Sequence, residues 1–279
     1  MEAPPILTDR LALSRNRARS KALDPSAMFL HHHAADEVKQ RLQLVNRTFT
    51  SPAVVTGFSE LWADITPNLK IVADTDTLDL IPKSHDLVVH GMALHWANDP
   101  VGQLVQARRA LYPDGLFLGI LFGGETLKEL RTCLGEAEAE ITGGLSPRIA
   151  PMGEIRQLGS LLQRAGFALP VADSVTYSTS YETAYHLMRD LRAMGETNAL
   201  AQRNRQPMRR AILELAAERY SLKTGTDGRI SATFELIILT GWAPDPSQPK
   251  PLRPGSANSR LADALDTKEH KLGQPPKTN

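Results

Sequence analysis

Hydrophobic positions change their spacing along this chain, and the change marks out its architecture. Residues 6–49 alternate apolar and basic positions at helical spacing, and Asp24-Pro25 breaks the run into two helices. From Ala53 onward, short apolar runs are divided by turn residues and helical stretches. Such alternation predicts a parallel sheet joined by helical crossovers. Strands are expected at 53–56, 69–73, 86–90 and 116–122. The segment PVGQLVQARRAL at 100–111 keeps its apolar residues on one face and places Arg108 and Arg109 near its end, where cations favour the helix dipole. Tyr112-Pro113-Asp114-Gly115 reads as a turn in which the glycine takes a positive φ.

In the second half, helices are expected at 126–140 and 154–165, the latter ending on Gly166 as its C-cap. A strand follows at 167–179, then helices at 183–194 and 207–222. After the turn Thr226-Asp227-Gly228 comes a last strand at 230–242, rich in β-branched residues. That strand is expected to pair antiparallel at the sheet edge, giving a mixed sheet. The layout is an N-terminal helical cap at 1–50, a sheet domain at 51–244 with a helical insertion at 181–222, and a loosely attached tail at 245–279. In that tail proline, lysine and small polar residues form no hydrophobic face.

Composition narrows the function classes. The 279 residues, 42% hydrophobic, support a sizeable core. With 32 basic against 31 acidic residues the net charge is +1, so no global attraction to nucleic acid exists. No apolar run approaches the roughly 20 residues of a spanning helix, and the N-terminus lacks the apolar core of a signal peptide. The single cysteine, Cys133, excludes an internal disulfide and a thiolate zinc site, so a reducing, cytoplasmic setting is expected. His31, His32 and His33 form a run, but adjacent side chains on a helix point in different directions. A solvated face is expected there rather than a metal site.

In open α/β sheets, ligands bind outside the carboxyl ends of the strands. This directs attention to Asp74 and Thr75, to residues 90–96 and to residues 123–126. Here IVADTDTLDLIPKSHDLVVHGMALHWANDP and RRALYPDGLFLGILFGGETLKELR resemble the core of class I S-adenosylmethionine methyltransferases of the biotin-synthesis malonyl-carrier type. They resemble the complex I assembly factor 5 group more closely still. LTDRLALSRNRA, TGGLSPRIAPMGEIRQLGSLLQRAGF, LMRDLRAMGETNAL, ATFELIILTGW and SQPKPLRPGSA extend that resemblance over nearly the whole chain.

The resemblance implies a Rossmann-like α/β fold with S-adenosylmethionine as cofactor. It places Asp74 and Thr75 at the adenine edge, His90, Gly91 and Met92 beside the methionine part, and His95, Trp96 and Asn98 toward a substrate. Asp74 reads equally as a carboxylate capping the following turn. His95-Trp96 fits packing better than chemistry, and Glu125 fits a helix cap better than an acid or base. His95, Asn98 and Glu125 are the candidate catalytic residues, and no metal ligand set is expected.

One departure from the family stands out. PAVVTGFSELWADI lies where an acidic residue and a glycine loop admit the cofactor, yet only Gly57 of that loop remains. Thr56 replaces the acid, and Phe58, Ser59 and Glu60 occupy the remaining places. The path from Gly57 to Asp74 is also too short for another strand-helix-strand unit of about 30 residues, so one strand-helix unit is expected to be missing. In one register 69–73 is the strand after the missing one, with Asp74 at the adenine. In the other it is the second strand, with Asp74 or Asp76 at the ribose. The first register fits the family's spacing from Asp74 to Asp86.

Three activities compete. The first is methyl transfer, helped mainly by proximity and orientation. The second, implied by the resemblance alone, is hydroxylation of an arginine in a complex I subunit, for which no two-histidine-one-carboxylate spacing is evident. The third is a chaperone for a complex I subunit or assembly intermediate that has lost its cofactor.

Overall fold

The computed structural model describes residues 6–150 and 152–248. Its sheet has six strands: β1 (Pro52–Thr56), β2 (Lys70–Ala73), β3 (His85–Gly91), β4 (Leu111–Phe122), β5 (Ala168–Tyr181) and β6 (Ile230–Trp242), in the order β2-β1-β3-β4-β6-β5. The first four run parallel, and β6 is antiparallel to both β4 and β5. The antiparallel pairing expected for the last strand is present. β6 itself lies one place inside the edge, and β5 closes the sheet.

β1 and β3, PAVVT and HDLVVHG, are buried along their whole length, as strands covered on both faces must be. Alternate residues feed two cores. Val54, Leu87, Val89, Leu118 and Ile120 face one side, while Ala53, Val88, Phe117, Leu121 and Leu239 face the other. The first side is covered by α2 (Phe29–Leu44), α5 (Lys128–Thr142), α7 (Ala184–Ala193) and α8 (Arg210–Thr224), and the second by α4 (Pro100–Ala110) and α6 (Ile155–Arg164). The two remaining helices, α1 (Arg10–Ser20) and the one-turn α3 (Ser59–Trp62), lie beside the ends of β1 and β2.

The expected break at Asp24-Pro25 is a 3-10 turn, with the Asp24 carboxylate accepting from Ser26 N–H at 2.9 Å. Gly166 takes φ +83° after α6, as a C-cap should. Asp227 and Gly228 both have positive φ, and paired bonds between Thr226 and Arg229 close the turn into β6.

Three local expectations are corrected. In the Tyr112–Gly115 turn the positive φ of 58° falls on Asp114, and β4 begins at Leu111 because that residue pairs with His85 ahead of a bulge. The helix expected from Thr126 begins at Lys128. Thr126 is tied instead to β6, its hydroxyl donating to Glu235 C=O at 3.0 Å and accepting from Glu235 N–H at 3.1 Å. The histidine run divides: His32 and His33 are exposed, but His31 shares the buried stripe of α2 with Leu30, Ala34, Ala35 and Val38.

The chain divides into two units, Met1–Asp245 and Pro246–Asn279, and the findings below concern the first. The expected tail from 245 lies, beyond residue 248, outside the described residues. No helix among the described residues is long and apolar enough to cross a membrane.

Candidate functional site

Because β1 to β4 are parallel, their carboxyl ends share one edge, where Gly57, Asp74, Met92 and Gly123 follow the four strands. β2 pairs directly with β1, Ala53 opposite Lys70 through Thr56 opposite Ala73, so no strand stands between them. Asp74 therefore sits beside Gly57, in the place that the second-strand register requires.

That half of the edge is occupied by a side chain from α1. Arg17 reaches across Gly57 and donates from Nη1 to both Asp74 carboxylate oxygens, at 2.8 and 2.9 Å. Arg10 adds a second cation 3.3 Å from the same carboxylate. A methyl group on Gly57 would fall on the guanidinium, 2.6 Å from Nε, so only glycine lets Arg17 lie there. The Phe58 ring covers the guanidinium at 5.5 Å, and Arg17 is only 8% exposed. At the end of β3, the Trp62 indole from α3 occupies the space that a side chain on Gly91 would need.

The other half stays hollow. Beyond β4 lies a cavity of about 340 Å³ walled by Phe122, Leu127, Leu130, Met188 and Phe234, with Trp96 and Glu196 at one end. Glu196, in the turn after α7, accepts from Trp96 Nε1 at 2.8 Å and meets His95 Nε2 at 3.3 Å. His31 Nε2 lies 3.7 Å from its other oxygen. Burial raises the Glu196 carboxyl, but His31 and His95 outweigh it and hold it far below the usual carboxylate range. His31, by contrast, is driven toward its neutral form by burial. Arg148 on the cavity wall is engaged with Glu138, whose carboxyl its bonds and those of Ser146 pull down to about 2 against the cost of burial.

Residues 8–119 match the family described as "Methyltransferase domain". Over 231 residues the chain is 37% identical to the mitochondrial arginine-hydroxylase NDUFAF5 of Danio rerio, a match covering 83% of this chain and 70% of that protein. The chain belongs to the NDUFAF5 family of class I methyltransferase-like proteins. NDUFAF5 of Mus musculus is 39% identical over 207 residues, covering 73% of this chain and 60% of the relative. The malonyl-[acyl-carrier protein] O-methyltransferase of Methylovorus sp. (strain MP688) is 32% identical over 196 residues, covering 68% and 64%. Against these last two, the match spans less than two thirds of the relative's length.

The methyltransferase superfamily implies S-adenosylmethionine, and this NDUFAF5-family chain does not fit it at the edge of β1 and β2. The Gly57 and Gly91 surfaces are covered by Arg17 and Trp62, and Asp74 is fully engaged. What remains outside Arg17 is an open groove of about 580 Å³ faced by Arg10, Arg17 and Lys21. A sulfonium cofactor would meet three cations there.

The other expected site residues fall as follows. Thr75 is exposed, and its hydroxyl donates to Thr77 C=O at 2.7 Å. His90 is wholly buried against Gln103 at 2.7 Å, and that burial depresses its pKa to about 4. Asn98 accepts the backbone N–H groups of Leu7 and Thr8, at 3.0 and 2.8 Å, and so anchors the approach to α1. Glu125 is an exposed partner of Lys128 at 2.7 Å. Only His95 and Trp96 meet at a shared buried group.

That group, Glu196, and the plug, Arg17, were missed as candidates, although the resemblance covers both in GETN and LTDRLALSRNRA. The signal for Arg17 was a helix whose inward stripe, Leu13, Asn16, Arg17 and Ser20, turns polar where it enters the protein. For Glu196 it was a polar turn in a helical insertion otherwise rich in leucine. Among the described residues no three His, Cys, Asp or Glu side chains could hold a metal ion.

Proposed function

We propose that this chain acts in respiratory complex I assembly by receiving an arginine side chain of a partner subunit in the cavity beyond β4. The observation that carries this reading is the cavity's chemistry. Apolar walls of Leu127, Leu130, Phe122 and Phe234 suit an aliphatic stem, and the ionised carboxylate of Glu196 lies at the end where a guanidinium would arrive. The names of the NDUFAF5 relatives, arginine-hydroxylases, agree with such a ligand. His95 and Trp96 act here as positioning residues, holding one oxygen of the Glu196 carboxylate, whose residue lines the cavity. The lone, buried Cys133 suits a reducing, cytoplasmic setting.

A non-catalytic chaperone is the second reading, and the occupied edge of β1 and β2 favours it. One experiment separates the two. In a strain lacking the gene, wild-type chain should restore assembled complex I and Glu196→Gln should not; normal assembly without the gene would sink both readings. Mass spectrometry of the complex I subunits then decides between them. An arginine that gains one oxygen only when the chain is present marks an enzyme, and restored assembly with unmodified arginines marks a chaperone.

A further inference from the structure

We infer that Arg17 is the built-in occupant of the sheet edge where methyltransferases hold their cofactor, and that this chain takes no S-adenosylmethionine there. Three independent contacts define the seat. Nη1 bridges both oxygens of Asp74, which is itself 5% exposed. The guanidinium lies flat against the bare Cα of Gly57, and Phe58 closes it from outside. A buried, charge-assisted pair of this kind is a strong interaction, and a neutral adenosine in its place would leave Asp74 with Arg10 alone and offer the Arg17 charge no partner. The cofactor's own cation would then stand beside the cations it had failed to remove.

The seat also explains why α1 is held at both ends. Asp9 N–H donates to Ala199 C=O at 2.8 Å, Ala201 N–H to Leu7 C=O at 2.9 Å, and Asn16 Nδ2 to Thr197 C=O at 2.9 Å. Gly195, with φ +78°, brings the same turn against Phe58, Ser20 and Arg17. The helix is clamped between the filled edge on one side and the Glu196 turn on the other. Arg17 is thus a positioning residue: it ties α1, across the residual glycine of the cofactor loop, to the carboxylate at the end of β2. The surviving Gly57 is retained for a guanidinium.

Calorimetry and hydrogen exchange on the full chain test this together. Wild-type protein should give no heat with S-adenosylmethionine or S-adenosylhomocysteine at about 1 mM, and neither ligand should alter exchange in 52–62 or 70–76. Arg17→Ala should raise amide exchange across α1 by about tenfold or more while leaving β3 and β4 protected. Should Arg17→Ala fail to fold, Arg17→Lys keeps the charge but loses the planar group that packs against Gly57 and Phe58, and a smaller acceleration confined to α1 is expected. Micromolar binding by the wild-type chain would overturn the inference, as would unchanged α1 exchange in a folded Arg17 variant. Either result would leave the arginine cavity standing, since its test reads assembly and does not involve the cofactor.

Discussion

Beyond β1, β2 and β3 the carboxyl edge of the sheet is closed by an internal ion pair and an indole, whereas beyond β4 it opens into a largely apolar cavity that includes a carboxylate. Both halves bury an acidic residue, but they satisfy it differently. Asp74 faces two permanent cations, Arg17 and Arg10, and has nothing left to offer a ligand. Glu196 is held by an indole, a neighbouring imidazole and a second, more distant one, partners that orient the carboxylate without permanently neutralising it. Burial of an acid therefore does not by itself mark a binding group. The permanence of its partner decides whether the charge remains available.

The contrast can be broken most forcefully at Arg17. Arg17→Leu leaves Asp74 buried beside Arg10 alone and should cost about 3 kcal/mol in urea unfolding; a loss near zero would mean the pair is worth no more than a surface bridge. Acid should find the closed half next. Burial holds the folded pKa of His90 at about 4, below the ordinary imidazole value of about 6.5. A depressed histidine favours the fold while neutral, so its contribution is complete above pH 6.5 and lost as pH falls to about 4. This amounts to about 3 kcal/mol, which His90→Gln should remove from the difference between unfolding curves at those two pH values.

Gly57→Ala should follow, at about 1–3 kcal/mol, because its methyl group would collide with a buried guanidinium held through Nη1 by Asp74. Gly124, whose surroundings leave an added methyl at ordinary contact distance, is the control, and Gly124→Ala should shift the midpoint less. The smallest effect is expected at Glu125. Glu125→Gln removes an exposed i,i+3 pair with Lys128 and should leave both the urea midpoint and complex I assembly unchanged. A loss of assembly with that variant would return Glu125 to the list of acting residues.

Much of the architecture was legible because strand burial and helical spacing write themselves into local pattern. β1 and β3 read as unbroken apolar runs, and β6 was placed at its observed limits, 230–242. The residues after the parallel strands do lie along one edge of the sheet. What local pattern could not reveal was which distant side chains would arrive there. Arg17 and Asp74 are 57 positions apart, and Trp96 and Glu196 are 100 apart. His31 looked solvated because its neighbours His32 and His33 are, yet a helix turns by about 100° per residue, and that rotation carries one of three adjacent side chains inward. Asn98 was directed toward a substrate by the resemblance alone. Nothing nearby signalled that the chain's own residues 7 and 8 would claim it.

The clamp on α1 also fixes an order of events during synthesis. α1 is made before the sheet, yet one of its ties, from Asn16 to Thr197, spans 181 positions, and another closes on Ala201. A nascent chain ending before residue 195 can pair β1 to β4, but it lacks both the β6 that seats β5 and the turn that holds α1 from its other side. The early helix must wait, with its arginines in water, until the helical insertion has been made. Its docking is thus a late step, and a chain truncated within that insertion would expose the edge that the finished protein keeps closed.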